Sequence, residues 1–264
     1  MMPIEYDVTG KVVFITGSGR GIGKGIAQVL AEAGADIALN ALTPKYVEGL
    51  AAQIAAASGR RIVPVIADVT KTDEVRRAVD SVLASFGRID VLVNALGDAI
   101  RKPLVALPGK GEEAGDISDN ELHLIMDINL TEALLCTRAV GPHMLARRSG
   151  KVINIAAWTA HQGGADMVLY TTAKTALAGF TRAQALEWAP YNVHINAIAP
   201  GLFPDVVTSG QEGVRQATQR AEQAVPLRRP GRLREVGLLA LYLASEASDY
   251  MTGQTVVLDG GLGL

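Results

Sequence analysis

The sequence holds a single cysteine, Cys136, and so cannot close an internal disulfide. That residue sits in the apolar run "ALLCTRAV", which marks it as a buried helix side chain rather than a nucleophile. Four histidines and this cysteine show no metal-ligand spacing, and no metal is expected. Aromatic residues make up only 5%, so small aliphatic side chains must fill the core, as in parallel sheets packed by alanine-rich helices. No run of eighteen apolar residues occurs, and the first residues, "MMPIEYDVTGK", show neither a long apolar segment nor a cleavage-like site. The expectation is a cytoplasmic protein with no membrane partner. Net charge is -2, and the short basic clusters "RAVGPHMLARRSGK" and "PLRRPGRLR" read as solvated surface. No nucleic-acid partner is expected.

What is present is apolar: 48% hydrophobic residues and 28 glycines in 264 residues, enough for a large core. Short β-branched runs at 11–16, 36–40, 61–67, 89–94, 151–156, 193–199 and 255–259 read as strands. Between them, 22–33, 44–57, 72–85, 119–147, 168–188 and 233–244 read as helices. Thr43 and Pro44 suit a helix start, and Ser118 to Glu121 reads as a capping box. Such alternation implies right-handed crossovers and an α/β fold: one doubly wound, Rossmann-type parallel sheet of about seven strands with helices on both faces. No repeat or linker divides the chain, so 1–264 is read as a single domain. Two excursions break the rhythm, near 99–118 and at 202–225, where a substrate pocket is expected.

"TGSGRGIG", Thr16 to Gly23, follows the first strand and opens a helix. Glycines there permit a tight turn and close backbone approach, and the helix N-terminus offers N–H groups to a pyrophosphate. Gly17, Ser18, Gly19, Arg20, Gly21, Ile22 and Gly23 are therefore candidate dinucleotide contacts. A carboxylate ending the second strand would favour NAD(H); here Asn40, Ala41 and Leu42 end it, with Thr43 and Lys45 just beyond. That set and Arg20 favour NADP(H), and NAD(H) remains open.

Tyr170 and Lys174 lie four residues apart, on one face of a helix. A phenol is a poor base at neutral pH, with an unperturbed pKa of about 10. An ammonium one turn away stabilises the phenolate.

The stretches "TGSGRGIG", "ADV" (67–69), "LVNALG" (92–97), "MDINLTEALLCTRA" (126–139), "GKVINIA" (150–156), "YTTAK" (170–174), "INAIAPG" (195–201) and "YMTGQTVVLDGG" (250–261) stand in an order and spacing that resembles the short-chain dehydrogenase/reductase family nearly end to end. The 3-oxoacyl-thioester reductases are similar members. The resemblance implies an NAD(P)-dependent interconversion of a secondary alcohol and a ketone. It implies that Tyr170 is the general acid/base, that Lys174 binds the nicotinamide ribose and lowers the tyrosine pKa, and that Asn129 holds a water in a proton relay. Asp68 and Val69 would meet the adenine, Asn94 and Gly97 the adenosine side, and Pro200 and Gly201 the nicotinamide. The long helices 119–147 and 168–188 would form a two-fold interface and "DGGLGL" a second, giving a homodimer or homotetramer.

Departures are as informative. The family's serine, thirteen residues before the tyrosine, is Ala157 here. Removing a donor to a developing oxyanion costs about 10²–10³ in rate. Four readings stand open: a variant inactivated by Ser-to-Ala exchange, a substitute donor, a cofactor-binding pseudoenzyme, or a substrate that needs no donor. Thr159 is the first candidate substitute, because an extended backbone would put it on the face of Ala157. His161 and Gln162 come next, and Thr159 alone would be an exposed strand-end residue. "NALG" sets Ala95 and Leu96 where the family carries an amide and a small residue. Asp205 occupies roughly the place of a threonine that often touches the carboxamide. Acyl thioesters, cyclic alcohols and polyketide-like ketones are the substrates that the long excursions suggest.

Overall fold

The computed structural model describes residues 3–108 and 115–264. Residues 109–114 of the first excursion lie outside the described residues. In chain order the elements are β1 (Val12–Ile15), α1 (Gly21–Glu32), β2 (Asp36–Ala41), α2 (Pro44–Ser58), β3 (Ile62–Ile66), α3 (Thr72–Phe86), β4 (Val91–Asn94), α4 (Asp119–Met126), α5 (Glu132–Arg147), β5 (Gly150–Ile155), α6 (Thr159–Gln162), α7 (Val168–Trp188), β6 (Val193–Pro200), α8 (Val206–Ala224), α9 (Leu233–Ala244) and β7 (Thr255–Leu258). The seven strands form one sheet in the order β3-β2-β1-β4-β5-β6-β7, every pair parallel. All seven strands anticipated from the sequence are present.

Strand alternation distributes the core over two faces. Val13 and Ile15 of β1 pack with Ile26 and Leu30 of α1, Val47 and Ile54 of α2, and Val236 and Leu241 of α9. Val12 and Phe14 point the other way, into Val75, Val79 and Val82 of α3, Val140 and Met144 of α5, and Ala185 of α7. Both faces are covered, so the strands read as unbroken apolar runs. Cys136 is fully buried on the second face. The Ser118 capping box forms: the Ser118 hydroxyl accepts from the Glu121 N–H, and the Glu121 carboxylate accepts from the Ser118 N–H at 3.0 Å.

Two segments depart from expectation. The helix expected over 119–147 is interrupted by a π turn, Asp127–Thr131, between α4 and α5. The Asn129 side chain donates to the Ile125 carbonyl four residues back, competing with the regular ladder. The excursion at 202–225 is largely helical: α8 fills 206–224 and breaks at Gly210, whose φ is +66°. Polar residues dominate α8 and only Ala221 is buried in it, so it offers few of the buried apolar side chains that mark the other helices.

Candidate active site

The strand order reverses between β1 and β4, and the crevice beyond their C-terminal ends is where ligands bind in such sheets. A cavity of about 630 Å³ opens there. Its walls include the turn after β1 (Gly17, Gly19, Arg20, Gly21, Ile22), the end of β2 (Ala41, Leu42, Thr43), Tyr46, and Ala95 to Ala99 after β4. Ile155, Ala156, Tyr170, Lys174, Pro200 and Gly201 close its floor, with Phe203, Asp205, Thr208 and Ser209 above.

The turn is built for close approach. Gly17 has φ +58°, and a Cβ there would lie 2.8 Å from the Leu96 backbone. A Cβ on Gly23 would lie 2.9 Å from the Gly17 carbonyl, so α1 could not begin so near the turn. No side chain of its N-cap residue, Arg20, bonds the first N–H groups of α1. The Gly21 N–H instead donates to the Asp205 carboxylate at 3.1 Å, which also accepts from the Thr208 hydroxyl at 3.2 Å. Glycines at the crevice and a helix N-terminus facing it fit a dinucleotide; a contrary group at that N-terminus is this buried carboxylate.

Not every expected contact lines the cavity. Asn40 faces inward: its amide donates to the Val65 and Ala67 carbonyls at 3.1 Å each, and its oxygen accepts from Gly17 N–H at 3.4 Å. It ties β2, β3 and the turn together, while the next residue, Ala41, faces the cavity. Ser18 is buried and donates to the Asn40 carbonyl. Asn94 is buried between Thr137 and Asn154, donating to both. The Asp68 carboxylate accepts from the Thr70 N–H and hydroxyl, and Val69 is buried; neither belongs to the cavity walls.

Tyr170, Lys174, Asn129 and Gly97 do meet. The Lys174 ammonium lies 5.9 Å from the centre of the Tyr170 ring and donates to the Ile155 carbonyl at 2.8 Å. A Cβ on Gly97 would lie 2.8 Å from Asn129 Oδ1 and 3.1 Å from Lys174 Nζ, so only glycine admits both. The Asn129 amide donates to the Asp98 and Ile125 carbonyls, while its buried Oδ1 has no partner among the described residues. That oxygen is a free acceptor beside the ammonium.

Burial pushes the Tyr170 phenol up to about 12, the Asp98 carboxylate adds to the rise, and the Arg101 cation opposes it. Burial draws Lys174 down to about 8, opposed by Glu132. Glu132 itself is raised to about 8 by burial, with Lys174 and the Thr16 hydroxyl pulling the other way. Glu132 is a functional candidate that motif spacing alone misses. Its signal is present in the sequence: Glu132, Cys136 and Val140 share one helical stripe, and the period that buries Cys136 buries the glutamate too.

The neighbourhood of Ala157 corrects a further expectation. The backbone does not stay extended: Trp158 turns helical (φ -55°, ψ -34°), and Thr159 opens α6. Thr159 is buried rather than exposed, its hydroxyl has no partner among the described residues, and it does not line the cavity. His161 and Gln162 come later in α6 on the exposed side, with the Gln162 amide donating to the Gly263 carbonyl. None of these three side chains reaches the cavity wall. Ala95 and Leu96 do form part of it, held by the Thr16 hydroxyl, which accepts from both N–H groups.

A glycine-cradled crevice at the sheet's switch point, with a tyrosine and a buried lysine on one helix beside it, defines a dinucleotide-dependent oxidoreductase. The family model described as enoyl-(acyl carrier protein) reductase matches residues 17–263. The 2-dehydro-3-deoxy-D-gluconate 5-dehydrogenase of Escherichia coli is 34% identical over 267 residues, covering 99% of this chain and 98% of that protein. The 3-oxoacyl-[acyl-carrier-protein] reductase of Thermotoga maritima is 31% identical, covering 96% and 98%. A gluconate 5-dehydrogenase from Burkholderia cenocepacia, solved with NADP and tartrate, superposes with a TM-score of 0.87 at 33% identity, covering 98% of this chain and 97% of that one. The chain belongs to the short-chain dehydrogenase/reductase family and is an NAD(P)-dependent alcohol/ketone oxidoreductase by membership. Among the described residues no helix is long and apolar enough to cross a membrane.

Proposed function

We propose that the chain interconverts a secondary alcohol and a ketone on a small substrate carrying an anionic group, with NADP(H) preferred over NAD(H). One observation carries this reading: Tyr170 and Lys174 face the same cavity as the glycine turn. A nicotinamide cofactor bound there supplies or accepts the hydride. Gly17, Gly19, Arg20, Gly21 and Ile22 would hold its phosphates, and Thr43 with Arg20 suits a 2′-phosphate where no carboxylate repels it. Pro200 and Gly201 would flank the nicotinamide. Tyr170 gives its phenolic proton to the carbonyl oxygen in reduction and takes it back in oxidation. Lys174 stabilises the phenolate, and Asn129 Oδ1 accepts a bond on the path by which the proton is replaced. Arg101, close enough to lower the phenol's pKa, offers a cation to a substrate carboxylate. The named relatives act on sugar acids and acyl thioesters, so both belong in the substrate panel, with cyclic alcohols.

A single domain would serve cofactor and substrate alike. Exposed Leu124 and Leu134 on α4 and α5 and Leu186 on α7 support self-association through these helices; sedimentation as a monomer would overturn it. A second reading rests on Ala157: with no hydroxyl there and Thr159 turned away, the chain binds cofactor without turning over. Purified protein mixed with NADPH or NADH and the substrate panel, followed by nicotinamide absorbance, separates the two. Cofactor binding with no oxidation or reduction of any substrate supports the silent reading.

A further inference from the structure

We propose that Asp205 is an internal latch on the crevice: its carboxylate holds the N-terminus of α1 until a phosphate of the dinucleotide takes its place, and that exchange frees the start of α8. The inference rests on reading the glycine turn as the dinucleotide site.

Asp205 is the N-cap residue of α8, where a carboxylate ordinarily accepts from the free N–H groups of its own first turn. It makes no such bond. Only its backbone carbonyl serves α8, accepting from the Thr208 and Ser209 N–H groups at 3.1 and 2.9 Å. The carboxylate crosses to α1 and accepts from the Gly21 N–H at 3.1 Å. The Thr208 hydroxyl donates to the same oxygen at 3.2 Å and so orients it. Arg20, the N-cap residue of α1, offers that helix no side-chain bond, so the bond at Gly21 comes from a residue far along the chain. Asp205 is 8% exposed, which shelters the contact from competing water. The Gly21 amide has one proton to give, and a carboxylate and a phosphate repel each other at one helix end. The two anions therefore exclude each other.

The segment fastened by this bond is otherwise weakly held. On one side Leu202 and Phe203 are anchored: the Gly231 N–H donates to the Leu202 carbonyl at 2.8 Å, and the Phe203 ring lies so close to Gly231 that a Cβ there would collide with it. On the other side Gly210 breaks α8 with φ +66°. Between these points Val206 and Val207 are 55% and 42% exposed, and no residue of α8 before Ala221 is buried. A segment with so few buried apolar contacts opens locally at low cost. Asp205, Thr208 and Ser209 share the cavity wall with the glycine turn, so a single charge-assisted bond decides whether the start of α8 stays on the crevice.

Hydrogen exchange of the full chain, read by mass spectrometry, follows the segment 202–210 and the segment around Gly21 together. The probes are ADP-ribose, which carries a pyrophosphate without the nicotinamide, and adenosine, which carries no phosphate. ADP-ribose is expected to speed exchange in 202–210 about tenfold, as the loss of one charge-assisted bond allows. Gly21 stays protected, because phosphate replaces carboxylate, and adenosine leaves both segments unchanged. Asp205→Ala shows the faster exchange in 202–210 without any ligand, and ADP-ribose adds nothing further. The proposal is overturned if ADP-ribose binds, as calorimetry reports, while exchange in 202–210 is unmoved or slower, or if adenosine releases the segment equally. Should Asp205→Ala not fold, Thr208→Val decides in its place: it removes the bond that orients the carboxylate, and unmoved exchange in 202–210 overturns the latch. Failure of the dinucleotide reading looks different: ADP-ribose then binds neither the parent nor Asp205→Ala, and the latch falls with that reading.

Discussion

The Asp205 carboxylate accepts a hydrogen bond from the Gly21 N–H at 3.1 Å, joining residues 184 positions apart at the start of α1. An anion thus already stands where the helix N-terminus would receive a phosphate. Asp205→Asn keeps an acceptor for Gly21 and removes the charge. Relief of about 1.4 kcal/mol of repulsion tightens NADPH binding about tenfold. Fluorescence titration of the two proteins checks it, and equal or weaker binding by the variant rejects it.

Tyr170→Phe retains the ring beside Lys174 but removes the proton that the carbonyl needs. Turnover should fall by about 10²–10⁴, the range expected for a positioned general acid. The NADPH dissociation constant should change little, because the glycine turn that would hold the phosphates is untouched. A variant that keeps its rate removes Tyr170 from the reaction.

Ala157→Ser places a hydroxyl just past the end of β5, before the chain turns into α6. If that hydroxyl meets the developing oxyanion, kcat rises by about 10²–10³. Initial-rate measurements on the best substrate of the panel decide it. No gain would mean that the present site polarises its substrate by other means, with Arg101 the first cation to examine.

Much of this site is legible in the sequence because it is made of backbone. The turn at Thr16 to Gly23 and the i, i+4 spacing of Tyr170 and Lys174 both derive from pattern and geometry, whereas the strand order is read from the structure. Side-chain direction at strand ends is harder to read. Asn40 and Ala41 are neighbours, but strand alternation sends the first inward and only the second to the cavity. The expectation for Thr159 fails because one residue, Trp158, leaves extended geometry and turns the next side chains away from the crevice. The helix α8 is hidden by its polarity, and the π turn at Asp127–Thr131 by a side-chain bond that leaves no periodic trace. Glu132 is hidden by its own charge, which reads as surface although the apolar stripe on either side of it is core.

The Glu132–Lys174 pair also makes a prediction about stability. Glu132 has a folded pKa raised from 4.5 to about 8. Between those values the folded state holds a proton that the unfolded state has lost, so this stabilisation is full below pH 4.5 and disappears as pH climbs to about 8. Lys174 is lowered from 10.5 to about 8, so above pH 8 the unfolded state binds the extra proton and stability rises with pH. The pair therefore contributes a minimum near pH 8, with a falling limb on its acid side. Thermal midpoints measured from about pH 5 to about pH 10 at constant ionic strength should show that dip in the parent protein. Glu132→Gln should flatten the acid-side limb, since no carboxyl remains to lose a proton there. The alkaline limb should survive in Glu132→Gln and vanish in Lys174→Met. A parent profile without the dip, or one that both variants reproduce, would mean that the two groups do not titrate as a buried pair.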